Sequence, residues 1–232
     1  MKNNMIKIFF YSLKELSKRT NMIFLSLILW VILNLLSLAS KRINILFSTN
    51  IQFSIWIVVF FLVYIAVLSF FSSELISLSI TKNKITNFKN TWKKFFLKNL
   101  IIMILISLIT LIISQITFYS SMFIGKTLSL SLITAQIVFF LIYFALLAGF
   151  LIFFTFSSFF VVIENASIKE SIKKSFKFVK NNYPETLLLM IFLFIIFFLL
   201  NKSPRILAEL IEYVLLIPLS ITFIKNFLLE RK

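Results

Sequence analysis

The only acids in this 232-residue chain are eight glutamates, and histidine, aspartate and cysteine are absent. Those absences remove the Ser-His-Asp triad, the Cys-His nucleophile pair, histidine-bound zinc and any disulfide framework. The two glycines, Gly125 and Gly149, cannot build a glycine-rich phosphate loop. What remains able to do chemistry is a small set of polar residues inside apolar runs. Asn34, Gln115, Gln136 and Glu212 each lie about six or seven residues from the outer end of such a run, roughly 10 Å at helical rise. At that shared depth they form a candidate outer polar pocket, since an ionisable residue inside a membrane is by default a functional candidate. The simpler reading is hydrogen bonding between neighbouring helices, with Arg205, Glu209 and Glu212 pairing at the rim. Glu74 stands among Ser69, Ser72, Ser73, Ser77 and Ser79, and Glu164 takes a comparable place later in the chain. They read either as a gate or docking surface, or, more simply, as snorkelling carboxylates that neutralise nearby lysines. No catalytic residue, cofactor or metal is expected.

The elements that must position these residues are membrane spans. Hydrophobic residues make up 60% of the chain, 31 residues are Phe, and 14% are charged. A soluble domain keeps roughly a quarter of its residues charged. The apolar runs are Asn21–Ser40, Ile51–Ile80, Leu100–Met122, Ser129–Ile163, Tyr183–Leu200 and Arg205–Leu229. At 1.5 Å per residue the shorter ones just cross a hydrocarbon layer of ~30 Å. The second and fourth are too long for that, so they should tilt, kink or project past the inner face. Gly149 would mark a bend or close helix contact in the fourth, and Pro218 a kink in the sixth. Ser37-Leu38-Ala39 resembles a signal cleavage site, but the run before it exceeds the ~7–15 residues of a signal core, so it reads as a retained first span. The predicted fold is all-α: a polytopic membrane domain, residues 1–232, of six spans and about three basic amphipathic interfacial helices.

Lysine and arginine orient it. Residues 1–20, 81–99, 164–185 and those after Phe223 hold 19 of the 24 basic residues, and the alternate segments 41–50, 123–128 and 201–208 hold 5. Short cytoplasmic loops collect Lys and Arg. Both termini are therefore expected in the cytoplasm, with 41–50, 123–128 and 201–204 outside a cell (cytoplasmic) membrane. A net charge of +16 would also suit nucleic acid, but every basic stretch is juxtamembrane, so the expected partner is anionic lipid head groups and not nucleic acid. Three basic segments carry apolar stripes at helical spacing: Met5, Phe9, Leu13, Leu16; Ile85, Phe88, Trp92, Phe95; and Ile168, Ile172, Phe176, Val179, Tyr183. Lys89, Lys93, Lys94, Lys173, Lys174 and Lys177 are the candidate anionic-lipid contacts. The stripes align at offsets of 79 and 84 residues, and Asn21, Asn99 and Asn182 each precede the following span. This pattern suggests a threefold internal repeat with units 1–80, 81–163 and 164–232; the simpler alternative is that Lys- and Phe-rich composition imitates one.

The run Ser157-Ser158-Phe159-Phe160-Val161-Val162-Ile163-Glu164, followed by Glu170-Ser171-Ile172-Lys173-Lys174-Ser175-Phe176-Lys177-Phe178-Val179-Lys180-Asn181-Asn182, resembles the loop after the fourth span in a broad group of six-span prokaryotic membrane proteins. That group includes the membrane region attached to some glycerophosphodiester phosphodiesterases. The C-terminal Pro218 and Phe227-Leu228-Leu229-Glu230-Arg231-Lys232 are also similar. The resemblance implies the six-span topology. The barrel of those enzymes is missing here, so it implies neither their activity nor any catalytic residue. The expected function is a non-enzymatic integral membrane module, a scaffold or lipid-interacting protein, with a homo-oligomer as a candidate assembly. The alternative is a transport subunit such as the permease of an ATP-driven exporter, with an ATPase partner docking on Lys82–Lys98. An intramembrane enzyme ranks last for want of His, Asp and Cys.

Overall fold

Apolar side chains surround the long runs on every side, so the helices they form have no polar face to offer water. The computed structural model describes residues 5–46, 50–80, 92–127, 132–200 and 205–231. In chain order the elements are α1 (Met5–Leu16), α2 (Thr20–Leu46), α3 (Asn50–Ile80), a π-helical turn (Trp92–Phe96), α4 (Leu97–Thr127), α5 (Leu132–Phe154), α6 (Ser157–Glu164), α7 (Ile168–Asn181), α8 (Tyr183–Leu200), α9 (Arg205–Ile211), a second π-helical turn (Glu212–Leu216) and α10 (Ile217–Arg231). No strand occurs among the described residues. Four stretches are long and apolar enough to cross a membrane: Thr20–Ser40, Trp56–Ile80, Lys93–Ser120 and Ala208–Arg231. Gly149–Glu164 and Tyr183–Leu193 are shorter apolar helices. The outward faces are greasy, with Phe24, Val31 and Leu35 exposed on α2, Ile57 and Phe61 on α3, and Leu108, Ile112 and Ile116 on α4. An apolar surface of that extent matches lipid rather than water.

The core lies at the end of the bundle where the basic segments gather. Phe9, Phe192 and Phe223 meet edge to face at 5.1 to 6.0 Å. Phe156, Phe178 and Phe227 form a second triad at 4.7 to 6.2 Å. Such ring pairs contribute about 0.5–1.5 kcal/mol each beyond area burial. A neighbouring cluster joins Leu16, Met22, Leu25, Leu29 and Leu33 to Phe71, Leu75 and Leu219. The contacts follow an order. The turn at Trp92–Phe96 packs on α3, α7 packs on α5 and α6, and α1 lies along α10. Each basic segment thus rests on the apolar run that precedes it, if the chain is read as a circle. Helix α3 also touches both α6 and α10.

Several expectations are corrected here. Of the outcomes expected for the fourth run a kink is the one observed, but away from Gly149: the run turns at Thr155-Phe156, between α5 and α6. The Thr155 hydroxyl donates back to the Leu151 carbonyl at 2.8 Å, a bond that bends helices, and the fully buried Phe156 ring anchors the turn against Phe178. Gly149 marks neither bend nor close contact, since α5 runs through it and a Cβ there would meet nothing within 4 Å. Ahead of Pro218, which has no N–H to continue the ladder, the helix widens into its π turn, with the Ile217 N–H donating to the Glu212 carbonyl. Helices α2 and α4 run on through Leu46 and Thr127, well into segments expected to be outer loops.

The core takes only part of each apolar stripe, together with serines beside it. On α1 the buried positions are Ile8, Ser12 and Leu16, and Leu13 is 45% exposed. On α7 they are Ser171, Ser175, Phe178 and Val179, whereas Phe176 is 40% exposed with its ring stacked on Phe153 at 4.8 Å. Of the second basic segment, 81–91 lies outside the described residues.

Candidate functional site

The chain end that begins α1 is bound to the chain end that closes α10 by a buried polar knot. Glu15 follows Ile8 and Ser12 round the face of α1 that meets α10. The Lys225 ammonium, on a residue only 5% exposed, donates to Glu15 Oε1 at 2.8 Å, to Oε2 at 2.9 Å and to the Ser79 carbonyl at 3.1 Å. Asn226 Nδ2 donates to Glu15 Oε2 at 2.9 Å and to the Ser12 hydroxyl at 3.0 Å. Arg19 donates to Glu15 Oε1 at 2.6 Å and to the Leu78 carbonyl. Two cations share one carboxylate, and the carbonyls at the end of α3 take up the surplus donors. Burial raises the Glu15 pKa, but the hydrogen bonds from Lys225, Asn226 and Arg19 outweigh it and hold the carboxyl below its ordinary value of 4.5.

A second junction lies between α3 and α4. Asn99 is fully buried, and its amide donates to the Ser72 and Ser73 hydroxyls at 3.0 and 2.8 Å. Nearby, Glu74 is 3% exposed, and its Oε1 has no hydrogen-bond partner. That overturns the snorkelling reading of this carboxylate. Glu164 does follow the simpler expectation, pairing with Lys174 at 2.5 Å.

The third part is the basic surface around α7. Helix α6 ends at Asn165, held in the left-handed conformation at φ 53°, and Lys98 covers that C-terminus with hydrogen bonds of 3.2 to 3.4 Å to the Asn165 and Ala166 carbonyls and the Asn165 side chain. Helix α7 then opens with a capping box: Glu170 N–H donates to Ser167 Oγ at 3.4 Å, and Ser167 N–H to Glu170 Oε2 at 3.1 Å. The backbone hydrogen bond from Ser167 lowers the Glu170 pKa, and the bond to Glu164 raises that of Lys174. With its serine-and-Phe face buried, α7 turns Lys169, Lys173, Lys174, Lys177 and Lys180 outward. Lys93 and Lys94 are exposed too, Lys94 with its Nζ 5.3 Å from the Phe95 ring centroid. Lys89 lies outside the described residues. Among α6, α7 and α10 opens a cleft of about 280 Å³, whose lining includes Glu164, Lys174, Lys177, Asn181 and Arg231. Arg231 reaches Glu185 at 3.3 Å.

The four outer polar residues are placed unevenly. Asn34 is half-buried and donates to the Trp30 carbonyl of its own helix at 3.0 Å. Helix α2 packs on the π turn that begins at Glu212, so these two residues stand on neighbouring elements. Gln115 is exposed on α4. The side chains of Gln136 and Arg205 lie outside the described residues.

Sequence reasoning passed over Glu15, Lys225 and Asn226 as site residues, and named Lys98 only as the end of a candidate docking segment. A signal existed: Lys225 interrupts the last apolar run, and Glu15 is the one acid in the basic N-terminal segment. Counting Lys225 as a loop cation hid its buried role.

Residues 8–210 match the model of a family described as a domain of unknown function, DUF7847. No curated protein and no solved structure matches the chain. The matched stretch takes in α1 from Ile8 and every helix through α8, and ends before Lys225, Asn226 and Arg231. The chain belongs to the DUF7847 family.

Proposed function

We propose that this protein is a non-enzymatic six-span membrane module whose lysine-rich face lies at the cytoplasmic surface and holds anionic lipid head groups. The observation that carries this reading is α7. Its serines Ser171 and Ser175 and the Phe178 ring are sealed into the core while five lysines project from the other side, beside the exposed rings of Phe176 and Tyr183. Lysines that a soluble surface would scatter are fixed here at the start of an apolar helix, where head groups sit. Helix α1 supports the same placement, since Ile6, Phe10 and Leu13 are exposed on one side and Lys7 and Lys14 stand beside them. The four long apolar stretches, with α5 and α8 as the remaining spans, support six crossings. Both termini belong to the cytoplasmic side on the distribution of basic residues. The cyclic packing of basic segments on the preceding runs supports three tandem units, 1–80, 81–163 and 164–232.

Spin-labelled lipids test it. In bilayers holding the full chain, labelled phosphatidylglycerol should be immobilised in preference to labelled phosphatidylcholine, and the preference should fall with salt as exposed charges are screened. Equal immobilisation of the two lipids at low salt would reject the lipid-binding role.

A further inference from the structure

We propose that the cleft among α6, α7 and α10 is a discrete seat for one phosphate-bearing anion, distinct from the diffuse lysine surface; it rests on the lipid-facing reading above and deepens it. Three cations line the cleft, Lys174, Lys177 and Arg231, against one carboxylate, Glu164. Glu164 is already engaged by Lys174, so its charge is largely spent within the wall. Arg231 meets Glu185 through one nitrogen, Nη1. A guanidinium is a planar fork with five donors, so the other edge remains free to take a phosphate oxygen. Lys177 is exposed, and Asn181 adds a neutral amide donor beside it. The C-terminal ends of α7 and α10 bring partial negative charge to the same place, roughly half a unit each, so with Glu164 and Glu185 counted the fixed charges about cancel and the seat rests on the converging donors of Lys177, Asn181 and Arg231.

Size limits the ligand. At about 280 Å³ the cleft falls at the bottom of the ~300–1,000 Å³ range of small-molecule sites. It suits a phosphate with a small alcohol, not a whole lipid or a nucleotide. Phe160 and Phe178 form an apolar floor, against which the carbon part of such an ester would rest. The cleft also opens where α7 gives way to α8 at Asn182-Tyr183, the level at which head groups meet an apolar helix. Its chemistry is shared by a phospholipid head group and a free phosphate monoester.

The two sources separate in one titration. The detergent-solubilised full chain is titrated with phosphatidylglycerol and, separately, with glycerol phosphate, and native mass spectrometry counts the molecules retained. One tightly held ligand is expected. It should weaken about tenfold in Lys177→Ala and further in Lys177→Ala/Arg231→Ala, on the usual worth of a charge-assisted bond. Lys18→Ala, which removes an exposed lysine outside both the cleft and α7, should retain it. Lys177 is exposed, so its single variant keeps the test valid if Arg231→Ala disturbs the fold. Retention of the lipid alone assigns the seat to a head group, and retention of glycerol phosphate alone assigns it to a soluble ester. Equal loss in Lys18→Ala and in Lys177→Ala/Arg231→Ala, or no retained ligand in the parent, overturns the seat. The spin-label preference judges the broader lipid role independently, since a diffuse lysine surface would keep it without a seat.

Discussion

Replacing Lys225 with methionine tests whether the buried knot joins the two ends of the chain. The substitution keeps the length of the side chain and removes three hydrogen bonds, to both Glu15 oxygens and to the Ser79 carbonyl. Glu15 retains Arg19 and Asn226, so it is not abandoned, but the Ser79 carbonyl loses its donor in a buried place. Breaking a buried ion pair by removing one partner destabilises by about 3–5 kcal/mol. Because Arg19 still faces the carboxylate, the lower end, about 3 kcal/mol, is expected here. For a chain of this size that corresponds to a fall of roughly 6–12 °C in Tm. Glu15→Gln should lose a similar amount, since it strands the Lys225 ammonium. The double variant Glu15→Gln/Lys225→Met should lose less than the two single losses added together, with a coupling of about 1–3 kcal/mol. Thermal unfolding of the detergent-solubilised chain, followed by circular dichroism, gives the three shifts. A Lys225→Met shift below about 2 °C, or full additivity of the pair, would refute the argument that this knot holds α1 on α10.

Acid should loosen the same knot. The Glu15 carboxyl has a folded pKa below its ordinary 4.5, so the stability it adds is present above that value and is lost as pH falls through the lower folded pKa. The protection of α1 amides relative to their intrinsic exchange rate at each pH should be flat from about pH 8 to 5 and should fall in the acid range; a fall already complete at pH 6 would contradict the assignment. Asn99→Leu removes the amide that bonds Ser72 and Ser73 and should cost about 1–3 kcal/mol in the same unfolding assay, whereas no loss would mean the serines repartner. Ser167→Ala breaks the capping box of α7 and should cost about 1 kcal/mol, with the loss of helix protection confined to its first turn.

The long apolar helices were legible because residue type alone separates lipid from water. Their interruptions were not. Pro218 announced a change in the sixth run, but the turn at Thr155-Phe156 is set by the Phe156 ring reaching Phe178, a contact 22 residues away that no local pattern encodes. Which face of each basic helix the core takes was not legible either. Leu13 and Phe176 of the apolar stripes stay exposed while the core accepts Ser12, Ser171 and Ser175, because a serine can bond a backbone carbonyl and lets two helices approach closely. Ser12 bonds the Ile8 carbonyl at 2.7 Å and Ser171 the Ile168 carbonyl at 2.8 Å. The polar knot was missed for the same reason: its members come from positions 12, 15, 19, 225 and 226, and only the fold brings the ends together. Glu164 with Lys174 was readable, being ten residues apart across one short turn.

The orientation of the basic face is the claim on which the rest depends. The chain has no cysteine, so single cysteines can be introduced without background. Ser171 would be a poor reporter because it is fully buried, whereas Lys173 is exposed on the lysine face of α7. With a membrane-impermeant maleimide on intact cells, cysteines at Ser48 and Ser203 should label, and a cysteine at Lys173 should label only after permeabilisation. Labelling at 173 in intact cells, with 48 and 203 protected, would place the lysine face outside and contradict the account.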